Sequence, residues 1–201
     1  MSPYSRLDDE EAESPPMGEP NAFLEEALFK ARTILLTGGI DFKQAKRVCE
    51  RLLALSSANP KEPILLVISS PGGHVESGDM IHDMIKFVAA PVKVLGTGWV
   101  ASAGALIYSA AKKENRFALK NTRFLLHEPR GGVGGQATDV EIQAREILKM
   151  RERLNQIFAD ATGKSLEQIK KDTDRDFWMS ADEAVKYGLV SKIVTNQGEI
   201  K

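Results

Sequence analysis

The side chains best placed for chemistry are one serine among small residues and three histidines. Ser102 lies in Gly98-Trp-Val-Ala-Ser-Ala-Gly104, after a strand pattern and at the start of a helix pattern. Ala101, Ala103 and Gly104 leave room for a substrate carbonyl, and a helix N-terminus favours developing negative charge. The same position suits a plain helix cap, the commonest use of such a serine. The segment is not the GxSxG elbow of an α/β-hydrolase, because Val100 stands at its first glycine. A serine hydroxyl is a weak nucleophile and needs a base, most often a histidine oriented by a carboxylate. His74 follows a glycine turn and His82 lies within a helix pattern. His127 ends the apolar run from Phe124, at a strand C-terminus where α/β sheets commonly place ligands. No tight ligand spacing of His, Asp and Glu points to a metal.

A second element is the turn Ser70-Pro71-Gly72-Gly73, which follows a buried strand pattern. It reads either as a tight turn before a helix or as backbone N–H groups presented to an oxyanion. It is not a P-loop, because no Gly-Lys-Ser/Thr follows, and it is not GxGxxG.

These residues need a scaffold, and the pattern is α/β. Thr33 to Thr37, Ile64 to Ile68 and Val92 to Leu95 read as strands. The continuous apolar run of the second suits a strand covered on both faces. Helices are expected from Asp41, as cap, to Asn59-Pro60, from Gly78 to Ala89, and from Ala101 to Ala111. Further on, Phe117 to Leu119 and Arg123 to Leu126 read as short strands. A long helix spans Thr138 to Ala161, with a capping box Thr138-x-x-Glu141, a Glu141–Arg145 pair and a stop at Gly163. Ser165-x-x-Gln168 and Ser180-x-x-Glu183 start two short helices, and Val190 to Val194 is a last strand. Alternation of strand and helix with short links argues an α/β class.

The chain has 201 residues, 42% hydrophobic and 27% charged, enough for one core without staples. Lys plus Arg is 27 against 28 Asp plus Glu, so no basic excess points to nucleic acid or an anionic membrane. No apolar stretch is long enough to span a bilayer, and the first residues lack an apolar leader pattern, so the expected location is cytoplasmic. Residues 1–20 carry six acidic residues, one Arg and four prolines, and are expected to form a disordered acidic tail before a domain over 21–201. The one cysteine, Cys49, excludes an intrachain disulfide and a CxxC site, and its apolar helical setting predicts a buried thiol.

Together, several segments resemble the ClpP family, the proteolytic subunits of the ATP-dependent Clp protease. They are Ser-Pro-Gly-Gly at 70–73, Ala-Ser-Ala-Gly-Ala at 101–105 and the run around His127. Gly-Gln-Ala-Thr-Asp-Val-Glu-Ile-Gln-Ala-Arg-Glu-Ile-Leu at 135–148 and Asp172-Thr-Asp-Arg-Asp176 complete the set. The similarity runs from about residue 24 to 195 and is densest over 135–190. It implies a crotonase-like α/β fold with a protruding handle helix, here over about 130–161. It implies a serine endopeptidase in which Ser102 is the nucleophile, His127 the base and Asp176 the orienting acid. The residues alone do not choose Asp176 over Asp172 or Asp174. The N–H groups of Gly73 and Ala103 match the oxyanion hole. Unfolded polypeptide would lie extended beside Val75, Arg130, Gly131 and Gly132. Arg175 matches a contact between rings. The implied assembly is two seven-subunit rings enclosing a chamber fed by an AAA+ unfoldase, with no cofactor or metal in the subunit.

The sequence departs from that family in four places. An acidic, proline-rich segment stands where an apolar and basic axial segment is usual. Ala103 replaces a frequent Met, Glu128 a common Gln, and Arg130 an apolar residue. Glu128 would either stabilise a charged imidazole or face solvent, and Arg130 would change the side-chain preference or block the cleft. These changes suit a second-copy paralogue working in a mixed complex, structural or regulatory with low activity alone. A crotonase-type acyl-CoA enzyme shares the implied fold but needs acid/base carboxylates and a CoA pocket. A Ser-Lys signal-peptide peptidase would not require His127.

Overall fold

The computed structural model describes residues 22–129 and 134–200. The acidic segment 1–20, and with it Arg130, Gly131 and Gly132 of the expected cleft, lie outside the described residues. The elements are α1 (Ala22–Lys30), β1 (Thr33–Thr37), α2 (Phe42–Ala58), β2 (Ile64–Ser70), α3 (Val75–Phe87), β3 (Val92–Ala101) and α4 (Ala103–Ser109). They continue as β4 (Arg116–Ala118), β5 (Arg123–Leu126), α5 (Ala137–Thr162), α6 (Leu166–Thr173), β6 (Phe177–Ser180), α7 (Ala181–Tyr187) and β7 (Lys192–Ile193).

The described strands form one seven-stranded sheet ordered β1-β2-β3-β4-β7, and β5 also pairs with β3. Pairs within this set are parallel, and β6 adds antiparallel to β5. β3 is the pivot. Its first half pairs β4 at Val94 to Gly96 and its second half pairs β5 at Trp99 to Ala101. Between them the β2–β3 register slips, from Ile68 opposite Gly96 to Ser70 opposite Val100. Such a bulge bends the strand, and here it aims the end of β3 at Ser102.

Helices α2, α3 and α4 cover the sheet face that carries Ile34, Leu36, Leu66, Ile68 and Val94, all essentially inaccessible. The expectation that β2 is covered on both faces is not met within one chain. Leu65 and Val67 stay half-buried and Leu35 is exposed. Asp41 caps α2 as expected, its side chain accepting from the Gln44 N–H at 2.7 Å. At the other end of α2, the half-buried Arg32 guanidinium donates to the carbonyls of Leu55, Asn59, Glu62 and Pro63 at 3.0–3.2 Å. These bonds tie the α2 C-terminus to the start of β1.

Several boundaries differ from the expectation. Helix α3 begins at Val75 rather than Gly78, and Gly78 is interior because its missing side chain lets α3 close on α4. A Cβ there would sit 3.2 Å from the Ala103 Cβ. The capping box at Thr138 does not form. Gln136 is the N-cap of α5 without a side-chain cap bond, Thr138 is inside the helix, and Glu141 is paired with Arg145. Gly163 stops α5 in the left-handed conformation. The last strand shrinks to β7, and β6 was not expected. Helix α5 has 26 residues, about 39 Å of helix, and its fully buried residues begin only at Leu154. Its first half therefore projects, as a handle would.

Cys49 is buried in α2 against Met80, and burial pushes its thiol up to about 11. At pH 8 such a thiol is ionised only to about one part in a thousand, against roughly a quarter for a free cysteine. Native protein should react with Ellman's reagent at least about 100-fold more slowly than unfolded protein. As pH rises toward the thiol's folded value, its reactivity should climb.

Candidate active site

β3 ends at Ala101 and α4 begins at Ala103, and Ser102 makes the corner with φ 54° and ψ −122°. A positive φ in a residue with a Cβ is strained and is tolerated where the surroundings impose it. Here the strand hands its direction to β5 through the Ser102 N–H, which donates to Leu125 O at 3.0 Å. The Ser102 side chain makes no cap bond to α4, and its hydroxyl has no hydrogen-bond partner among the described residues. The plain-cap reading of this serine is therefore excluded.

Directly beneath it lies the turn after β2. Ser70, fully buried, donates to Gly38 O at 2.7 Å and accepts from the Gly72 N–H at 3.0 Å, which pins the turn. Gly72 and Gly73 have φ 101° and 146°, conformations that favour glycine. A Cβ on Gly72 would lie 2.6 Å from Ser102 Cβ and 3.1 Å from its Oγ, and one on Gly73 2.3 Å from Ile40 O. Gly73 bridges to Ile40 through two bonds that do not use its own N–H: Ile40 N–H to Gly72 O and His74 N–H to Ile40 O, each 2.8 Å. Ala103 opens α4, where first-turn N–H groups have no intrahelical acceptor. Neither the Gly73 N–H nor the Ala103 N–H has a hydrogen-bond acceptor among the described residues.

Gly72→Ala should lower the rate of hydroxyl acylation by on the order of 100-fold, because it displaces the Ser102 side chain by an ångström or so. Measured labelling rates at unchanged far-UV circular dichroism check this, and a wild-type rate would show that the turn does not set the position of Ser102.

His127 follows β5 and Asp176 precedes β6, so the antiparallel β5–β6 pair, with Leu126 opposite Phe177, brings them together. His127 Nδ1 lies 3.0 Å from Asp176 Oδ1. With the Nδ1–H donated to the Asp176 carboxyl, Nε2 is the ring nitrogen left to accept a proton. His127 is largely buried and Asp176 half-exposed. Ser102 and His127 line one cleft with Val75, Ala103, Leu154 and Phe158. The cleft holds only about 10 Å³, room for one water at most.

The other two histidines are elsewhere. His74 caps α3 and contacts Ser77 and Glu76, and His82 is buried with Nδ1 on Asp83. Asp172 is engaged by the Tyr187 hydroxyl and Gln168, each at 2.7 Å. Among the described residues no group of three His, Cys, Asp or Glu could hold a metal ion, and no helix is long and apolar enough to cross a membrane.

The Clp protease family model matches residues 18–197. The chain belongs to the Clp protease family. It is 57% identical to the ATP-dependent Clp protease proteolytic subunit 3 of Rhizobium etli, over 96% of this chain and 97% of that one. It is 56% identical to proteolytic subunit 2 of Gluconobacter oxydans, over 99% of this chain and 88% of the relative, so that alignment takes in the acidic segment too. Among solved structures it is similar to a mutant of ClpP1 from Listeria monocytogenes, with TM-score 0.83 and 53% identity, covering 89% of this chain and 99% of that one. The fold is accordingly the α/β ClpP fold with α5 as its handle.

The Glu128 side chain takes neither expected course. It pairs with Arg151 of α5 at 3.3 Å, while its N–H donates to Thr173 O at 2.9 Å. Thr173 in turn donates to the buried Asn155 of α5 at 2.9 Å. The handle thus holds the residue after His127 and the helix before Asp176. Asn155, and the close approach of Gly72 to Ser102, were not singled out by sequence; their signal lies in which elements touch, not in spacing. Arg175 is exposed, with Nη1 on the neighbouring Asp174 carbonyl at 3.2 Å.

Proposed function

We propose that this chain is a serine-type endopeptidase subunit whose nucleophile is Ser102, base His127 and orienting acid Asp176. The observation that carries it is the 3.0 Å His127–Asp176 contact across one cleft from a strained, uncapped Ser102, in a chain of the Clp protease family. His127 Nε2 takes the Ser102 proton as Oγ attacks the peptide carbonyl, then gives it to the leaving amine. Water enters by the same route and frees the acyl group. Asp176 holds the imidazole tautomer and stabilises the imidazolium. The N–H groups of Gly73 and Ala103 receive the oxyanion, each donor of this type being worth about 3 kcal/mol.

The substrate is unfolded polypeptide laid along Val75 and residues 130–132. Two heptameric rings, of this chain alone or mixed with a second Clp proteolytic subunit, enclose it, and an AAA+ unfoldase feeds it. The projecting half of α5 and the exposed Arg175 support contact between rings. The partner's need for ATP supports a cytoplasmic location.

Fluorophosphonate treatment of the intact protein, alone and mixed with its host's other Clp proteolytic subunit, tests the reading. A single adduct mapped to Ser102 is expected. An unmodified Ser102 in both preparations, with a reactive control protease labelled alongside, would overturn it.

A further inference from the structure

Away from Ser102, two adjoining cavities of about 400 and 440 Å³ share Lys86, Ala110, Ala111 and Lys112. The first adds Lys113, the buried Arg116, His82 and Asp160. The second continues along an apolar wall of Ile85, Val88, Pro91 and Val92, with Glu114 at its rim. The ammonium groups of Lys86, Lys112 and Lys113 have no ion pair or hydrogen bond among the described residues. Lys120 and Lys192, by contrast, pair with Asp182 and Glu199. Of the facing carboxylates, Asp160 is held by Gln156. Arg116 donates to Ala161 O at the C-terminal end of α5, at 2.8 Å, and to Leu189 O just after α7, at 3.2 Å. What remains is a cationic groove with an apolar flank.

The groove lies at the same end of the sheet as Arg32, a residue of the link that joins α1 to β1. Leu65 N–H donates to Arg32 O, just after α1, and Ile64 N–H donates to Pro91 O in the groove wall. β1 and β3 are two strands apart, about 10 Å, and α1 adds about 13 Å. Asp8, Asp9, Glu10, Glu11 and Glu13 stand eight to thirteen residues before Asn21. An extended run of that length reaches roughly 26–45 Å, which covers the span.

We propose that this acidic run docks in the groove, its carboxylates on Lys86, Lys112 and Lys113 and its prolines along the Val88–Val92 flank. The docked segment would make the groove a self-occupied site that an acidic partner segment competes for. This stands whether or not Ser102 is catalytic. Each exposed pair contributes little by itself and is screened by salt, so the contact is reversible.

Carbodiimide coupling of the full chain, read by peptide mass spectrometry, tests it. Amide links from residues 8–13 to Lys86, Lys112 and Lys113 should exceed those to the exposed, unpaired Lys43, Lys61 and Lys171 by about tenfold, since docking raises the local carboxylate concentration. High salt should collapse that preference. In a variant carrying Asp8→Asn, Asp9→Asn, Glu10→Gln, Glu11→Gln and Glu13→Gln, the three lysines should acetylate several-fold faster than in the wild type. Links spread evenly over surface lysines, or equal acetylation in both proteins, would overturn the proposal. So would protection by added inorganic phosphate alone, which would assign the groove to a free anion.

Discussion

Ser102→Ala should leave a folded protein with peptidase turnover lowered by about 10⁶-fold, the scale on which a serine peptidase loses kcat when its nucleophile goes. The fold should be indifferent to the change. Ser102 sits at φ 54°, a cost shared by any residue with a Cβ, and its hydroxyl makes no cap bond that alanine would forfeit. The melting temperature should therefore move by no more than a degree or two while activity disappears. Any residual rate should stay about 10³–10⁴ above water, because the Gly73 and Ala103 N–H groups remain in place. Steady-state cleavage of a fluorogenic peptide, alongside calorimetry, reads both quantities. Retained peptide cleavage would remove Ser102 from the mechanism. Turnover of a CoA thioester that survives the change would point to acyl-CoA chemistry on the same fold.

The parts of this site that lie within one element were legible as sequence. Asp41, Ser165 and Ser180 cap the helices expected of them, because a cap is decided by residues three positions apart. β1 and β5 fall on their apolar runs to the residue. What was not legible depends on distant elements meeting. β6 is short and pairs only because β5 is beside it, and without β6 nothing distinguishes Asp176 from Asp172. The turn glycines could be read as a turn, but not that Gly72 lies against Ser102, since that contact joins β2 to the end of β3. Thr138 failed as a cap because Gln136 already turns the chain into α5, so the Thr-x-x-Glu spacing falls inside the helix. Glu128 pairs with a residue 23 positions away, which no local pattern announces.

Asp176→Asn should cost about 10⁴-fold in kcat at neutral pH with far less effect on KM, because asparagine can present its amide N–H to His127 and trap the tautomer that cannot accept the Ser102 proton. The geometry makes the choice among three aspartates sharp. Asp176 alone of them is 3.0 Å from His127 Nδ1. Asp172 is committed to Tyr187 and Gln168, and burial, reinforced by the bond to Asp172, pushes the Tyr187 phenol well above its usual range. Asp172→Asn should therefore loosen α6 against α7 and shift stability, with turnover per folded molecule changed by less than about tenfold. Asp174 is exposed and should tolerate the same substitution in both respects. The pattern to look for is a kcat loss confined to position 176, with fluorophosphonate adduct formation at Ser102 slowed in parallel, since acylation needs the same base. If Asp172→Asn removed turnover and Asp176→Asn did not, the contact between β5 and β6 would be scaffolding and the orienting acid would have to be sought on α6. A merely structural role for Asp176 would instead lower stability and leave kcat per folded molecule unchanged, so kinetics normalised to folded protein separate the two.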